Sequence, residues 1–132
     1  MMSVEISMLV YATALLIVLV LIQATVGVQA QGLKPMAGPR DDLPPPKPFQ
    51  ARTKRCVDNH REGLTMFAPL VIAAALTHVS NSWTVLGAEL FFYSRVVHAV
   101  LYLAGVPMIR PLAWAVGLVG TLMVLLAVLH LI

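Results

Sequence analysis

Residues 52–62 read RTKRCVDNHRE, and residues 63–75 continue GLTMFAPLVIAAA without a single charge. On a helix, Arg52, Arg55, Asn59 and Glu62 fall at steps of three, four and three, so they share one face. The last of them lies inside a stretch that otherwise reads as membrane-spanning. A charge carried into a bilayer is costly and needs a partner, a watery cavity or a ligand. The question for the rest of the chain is what supplies those partners.

Composition sets the class. The 132 residues are 59% hydrophobic and only 11% charged, with a mean hydropathy of +0.85. That is too apolar for a soluble domain of this length and points to an all-α integral membrane protein, a single domain over residues 1–132. A net charge of +3 is too small to suggest a nucleic-acid partner. Cys56 is the only cysteine, so no intramolecular disulfide forms, and any thiol chemistry draws on an external thiol.

Working outward, four spans are expected. The first covers about residues 4–31. It is too long for the apolar core of a signal peptide, and its leading residues hold Glu5 and no Lys or Arg. Residues 32–51 carry Pro35, Pro39, Pro44, Pro45, Pro46 and Pro48, which reads as an extended polar loop able to cover a site at the membrane surface. The second span covers about 52–80, with Pro69 inside it. The third covers 83–104, opened by Trp83 as an interfacial anchor, and the fourth 107–132, after the break at Gly105-Val106-Pro107. Ala113, Gly117 and Thr121, four apart, give the fourth span a smooth face for close helix packing.

Lys34, Arg40, Lys47, Arg52, Lys54, Arg55, Arg61 and Arg110 all fall in or beside the first and third connections. Neither terminus nor the turn near Asn81 carries Lys or Arg. The positive-inside rule therefore puts those two connections in the cytoplasm and both termini on the other side.

The third span has its own polar stripe, Arg95, His98 and Tyr102, again on one helical face. Arg95 lies about 14 Å from the cytoplasmic end and Glu62 about 10 Å above Arg55, taking 1.5 Å per residue. Matched depth predicts a Glu62–Arg95 pairing. Two arrangements are open: a buried ion pair that fixes packing, or a ligand site. The surplus of donors over what Glu62 can accept suits an anionic ligand. Glu89 points away from the Arg95 face and is expected to find a structural partner in a neighbouring helix, of this chain or of another. His78 and His130 read as interfacial, and no set of side chains has metal-ligand spacing.

The pattern Arg55-x-x-x-Asn59-x-x-Glu62, then Arg95-x-x-His98-x-x-x-Tyr102, then Gly105-x-Pro107-x-x-Arg110, resembles the MAPEG family, membrane-associated proteins in eicosanoid and glutathione metabolism. The resemblance covers essentially the whole chain and implies a four-helix membrane bundle that assembles as a homotrimer. It implies glutathione as co-substrate, bound by Arg55, Asn59, Glu62, Arg95, His98 and Tyr102, with Arg110 as the catalytic residue that stabilises the thiolate. Asp58 adds a negative charge beside that site. The linker Gly38-Pro39-Arg40-Asp41-Asp42 is similar to bacterial members, which implies a bacterial inner membrane. The implied activity is a glutathione-dependent transferase or peroxidase acting on a lipophilic small molecule delivered by membrane lipid. The alternative is a non-catalytic membrane protein of the same fold that binds a lipid or a protein partner.

Overall fold

Ser3 opens the first helix. Its side-chain oxygen accepts the Ile6 N–H at 3.3 Å, and α1 then runs over Val4–Gln31 in the computed structural model, which describes residues 1–132. Gly32, at φ 92°, turns the chain out of α1 into a short helix, α2, over Leu33–Ala37. The proline-rich connection is thus not wholly extended: Pro35 sits in the first turn of α2, where its missing N–H costs nothing.

The next helix, α3, spans Pro48–Leu76 rather than 52–80. Pro48 takes the first helical position instead of ending the loop, because a fixed φ suits a helix start. The helix stops before Ser80 because His78 adopts φ 57° and the Val79 N–H returns to the Ala74 carbonyl. Asn81 then caps α4, Ser82–Ala104, with its Oδ1 accepting the N–H groups of Trp83 and Thr84. Gly105, at φ 75°, closes α4 in a left-handed turn, and the Val106 N–H bonds the Leu101 carbonyl at 3.0 Å. The last helix, α5, is Arg110–Val128, shorter at both ends than 107–132. Pro107 belongs to the turn before it, its carbonyl accepting the Arg110 N–H, and His130 leaves it at φ 56°.

Helices α1, α4 and α5 are each long and apolar enough to cross a membrane. α3 is as long as α1, about 43 Å at 1.5 Å per residue, but its first half is charged. The chain is an all-helical membrane bundle. α3 and α4 form a central pair, with α1 packed on both from one side and α5 from the other. Two ends can then be distinguished: the loop end, holding α2 and the turn at Gly105, and the turn end, holding both termini and Asn81.

The α4–α5 contact is the closest. A Cβ placed on Gly87 would lie 2.6 Å from the Gly120 carbonyl oxygen, so these two backbones touch. Ala113, Gly117 and Thr121 are all buried, Gly117 against Ser94 and Arg95 of α4, which places the smooth face of α5 inside the chain. Near the turn end, Phe67 of α3 stacks on Phe91 of α4 at 3.9 Å between ring centres, within a core completed by Met8, Ala12, Val71, Ala88 and Val124. Cys56 is fully buried in a second cluster with Leu19, Val57 and Ala99.

Candidate functional site

Arg95 enters the bundle from the α4 face that also buries Ser94, His98 and Ala99. It is only 2% exposed. Two glycines face it at ordinary contact distance: a Cβ on Gly63 of α3 would sit 3.6 Å from its Cζ, and one on Gly117 of α5 would sit 3.5 Å from its Cδ. The guanidinium therefore lies between three helices.

Its partners are neutral. Nη2 donates to Asn59 Oδ1 at 2.7 Å, and Nε donates to His60 Nδ1 at 3.3 Å. His60 in turn contacts the Ala12 carbonyl through Nε2 at 2.8 Å. A carbonyl only accepts and a guanidinium only donates, so the proton is on Nε2 and Nδ1 holds the lone pair. His60 is thus a neutral relay tying α4 to α1 through α3. It stood outside the predicted set because it lies one residue past the Asn59 stripe, on the face that turns inward.

The expected Glu62–Arg95 pairing is not formed. Glu62 is exposed, and no carboxylate lies within ion-pair distance of Arg95. Each residue turns the helix by about 100°. The buried stripe of α3 is Thr53, Cys56, His60, Gly63 and Phe67, which leaves Arg55 and Glu62 on its outer flank. Of the predicted α3 stripe, Asn59 reaches Arg95 of α4 and Arg52 reaches the Gly105 turn that closes it. Asp58 does not burden the site either, because Lys54 and Arg61 both bind it at 2.6 Å along the exposed side of α3.

His98 is buried, 3% exposed, with its ring edge-on to Tyr102 at 5.4 Å. Tyr102 is half-buried, and the Arg110 guanidinium lies over its ring at 4.4 Å. Arg110, the first residue of α5, is thereby folded back toward α4 at the loop end. Arg52 belongs here too. It stacks over Phe49 at 5.5 Å, packs against Gly105, and keeps a buried Nε with no hydrogen-bond partner. The sequence placed Arg52 on the right face but gave no sign of that unused donor.

The seven predicted residues thus divide. Arg95, Asn59 and His98 are held within the chain, Tyr102 and Arg110 stand at its loop-end mouth, and Arg55 and Glu62 face outward. Next to Arg55 a cavity of about 610 Å³ opens under the proline-rich connection, lined also by Gln23, Gln31, Arg40, Gln50 and Lys54. Gln31 donates to Gln50 Oε1 at 3.2 Å and to the Pro44 carbonyl at 3.3 Å, which ties the connection down between α1 and α3.

Comparison with known families adds one match: the MAPEG family model aligns with residues 8–130. No curated protein and no solved structure matches the chain.

Proposed function

Because the chain belongs to the MAPEG family, we propose that it is a glutathione-dependent transferase or peroxidase acting on lipophilic substrates. The observation that carries this reading is an excess of cationic donors. Arg52, Arg55, Arg95 and Arg110 gather toward the loop end, and none of them is bound by a carboxylate of the chain. Cations held at the edge of a membrane attract an anion. Glutathione, with two carboxylates and one ammonium, fits a site rich in arginine that also offers one free carboxylate, Glu62.

In this reading Arg55, Asn59 and Glu62 hold the peptide's charged ends and backbone, with Tyr102 beside them. Arg95 and His98 act from behind, fixing Asn59 and Tyr102. Arg110 meets the sulfur. A cation near a thiol favours the thiolate, which is the nucleophile. The lipophilic electrophile arrives through the bilayer; as the carbon–sulfur bond forms, a leaving group departs with the displaced electron pair or, in conjugate addition, the neighbouring carbon takes up a proton from water. With a hydroperoxide the O–O bond breaks instead, the alcohol leaves, sulfur keeps the terminal oxygen, and a second glutathione releases it as water and forms the disulfide. The outward set of Arg55 and Glu62 supports a site finished by a neighbouring subunit, in keeping with a homotrimer. The cation-rich loop end lies in the cytoplasm by the positive-inside rule, as in a bacterial inner membrane.

The test is calorimetric titration of purified protein with glutathione and with S-methylglutathione, alongside thiolate absorbance as a function of pH. Both ligands bind, and bound glutathione ionises about 1–3 pH units below free glutathione. In Arg110→Ala that lowering disappears while S-methylglutathione binding changes little. Wild-type protein that binds glutathione with an ordinary thiol pKa would overturn the catalytic role. No binding at all would leave a non-catalytic member of the family that takes a lipid or a protein partner.

A further inference from the structure

Glu89 lies on α4, seven residues from its start, or about 10 Å into the span from the turn end. It is half-buried and makes no hydrogen bond and no ion pair within the chain. No helix of the same chain therefore supplies the structural partner expected for it. Glu89 lines a cavity of about 450 Å³ between α4 and α5, where every other wall except Tyr93 and Ser94 is aliphatic. Leu86, Tyr93, Val97 and Val116, which share the cavity, are 42% to 59% exposed, so it opens onto the outer surface of the bundle.

A carboxylate facing hydrocarbon needs a cation. Within the span the chain has none to offer there, and the exposed amino terminus of Met1 lies outside α1 at the turn end. All nine Lys and Arg lie in the loop-end half: Arg95 is about 9 Å further along α4, and Arg61 precedes the midpoint of α3. His78 and His130 lie beyond the ends of their helices, exposed. The cation therefore comes from outside the chain and must be carried by something that resides in the bilayer. We propose that the α4–α5 cavity binds a lipophilic amine, its alkyl body along Leu86, Leu90, Val97, Ala113 and Val116 and its ammonium on Glu89. The volume suits a single small amphiphile. Tyr93, one turn after Glu89, places a hydroxyl-bearing ring on the same face. This site faces away from the Arg95 cluster and does not depend on the glutathione reading.

The experiment uses full-length protein in phosphatidylcholine nanodiscs without thiol, titrated with dodecylamine and, separately, with dodecanol, with empty nanodiscs subtracting partition into lipid. Dodecylamine binds saturably and about tenfold or more tighter than dodecanol, as expected for a charge-assisted contact. Glu89→Gln abolishes that preference and leaves dodecanol binding as it was. Glu89→Asp keeps the preference. Val116→Phe, which narrows the cavity and keeps the carboxylate, weakens both ligands. Equal binding of amine and alcohol to wild-type protein overturns the proposal even if every variant fails to fold. So does a preference that survives in Glu89→Gln.

Discussion

At Arg95 the chain carries a guanidinium into the bundle and surrounds it with an amide and an imidazole instead of a carboxylate. Neutral acceptors leave its positive charge uncancelled, which a ligand site requires and a purely structural ion pair would not. The stability cost falls on the relay. His60→Ala removes the acceptor of Arg95 Nε and the donor to the Ala12 carbonyl together, so it lowers stability by about 2–4 kcal/mol, one hydrogen bond to a charged group plus one neutral bond. Thermal unfolding in detergent measures it. Glu62→Ala, by contrast, melts within about 0.5 kcal/mol of wild type when no ligand is present, because an exposed residue without a partner has little to lose. Spacing alone brought Arg95, His98 and Tyr102 to one face of α4. It could not show which α3 residue meets them, since an error of one residue rotates the answer by about 100°. Glu5 was equally illegible. It is buried beneath Ser80 and Thr84, whose hydroxyls both donate to its Oε1, and those partners lie some 75 positions away in sequence.

The ends of α1 and α4 at Gly32 and Gly105 were legible, because glycine marks a left-handed turn, but boundaries were misplaced at Pro48, at Pro107 and at two histidines. Pro48 starts α3, and His78 and His130 end helices through positive φ, a conformation that carries no clear signature in a histidine. Packing between elements was partly legible. The small-residue stripe of α5 does lie in an interface, but the closest approach uses Gly87 and Gly120, one stripe to the side. Gly120→Ala tests that crossing. Its new Cβ would meet the Phe91 backbone nitrogen at 2.8 Å as well as the Gly87 carbonyl, and neither is free to move aside. Overpacking of this kind costs about 1–3 kcal/mol. The expected result is a lower melting temperature with helical content unchanged at low temperature. Unaltered melting would mean that α4 and α5 separate easily. Such a finding would also undermine the Glu89 cavity, which these two helices form.

For the whole molecule, charge placement bears on both assembly and direction. The bundle exposes Arg55 and Glu62 on one flank of α3, where lipid is a poor neighbour for either. A homotrimer that covers this flank has three times the 14.3 kDa chain mass in mild detergent. Direction follows from the charges. A cysteine at Asp41, in the exposed connection after α2, reports the loop end. Cys56 is fully buried, and Cys56→Ser removes it as background with a near-isosteric side chain. A second cysteine at Ser82, exposed at the start of α4, reports the turn end. In intact cells a membrane-impermeant maleimide reaches position 82 and not 41, and in inverted vesicles the order reverses. Both results follow if Lys34, Arg40 and Lys47 are retained in the cytoplasm with the first turns of α3. Labelling of position 41 from the outside would invert the molecule. The arginine cluster would then face away from the cytoplasm, and a cytoplasmic thiol could no longer reach Arg110 directly.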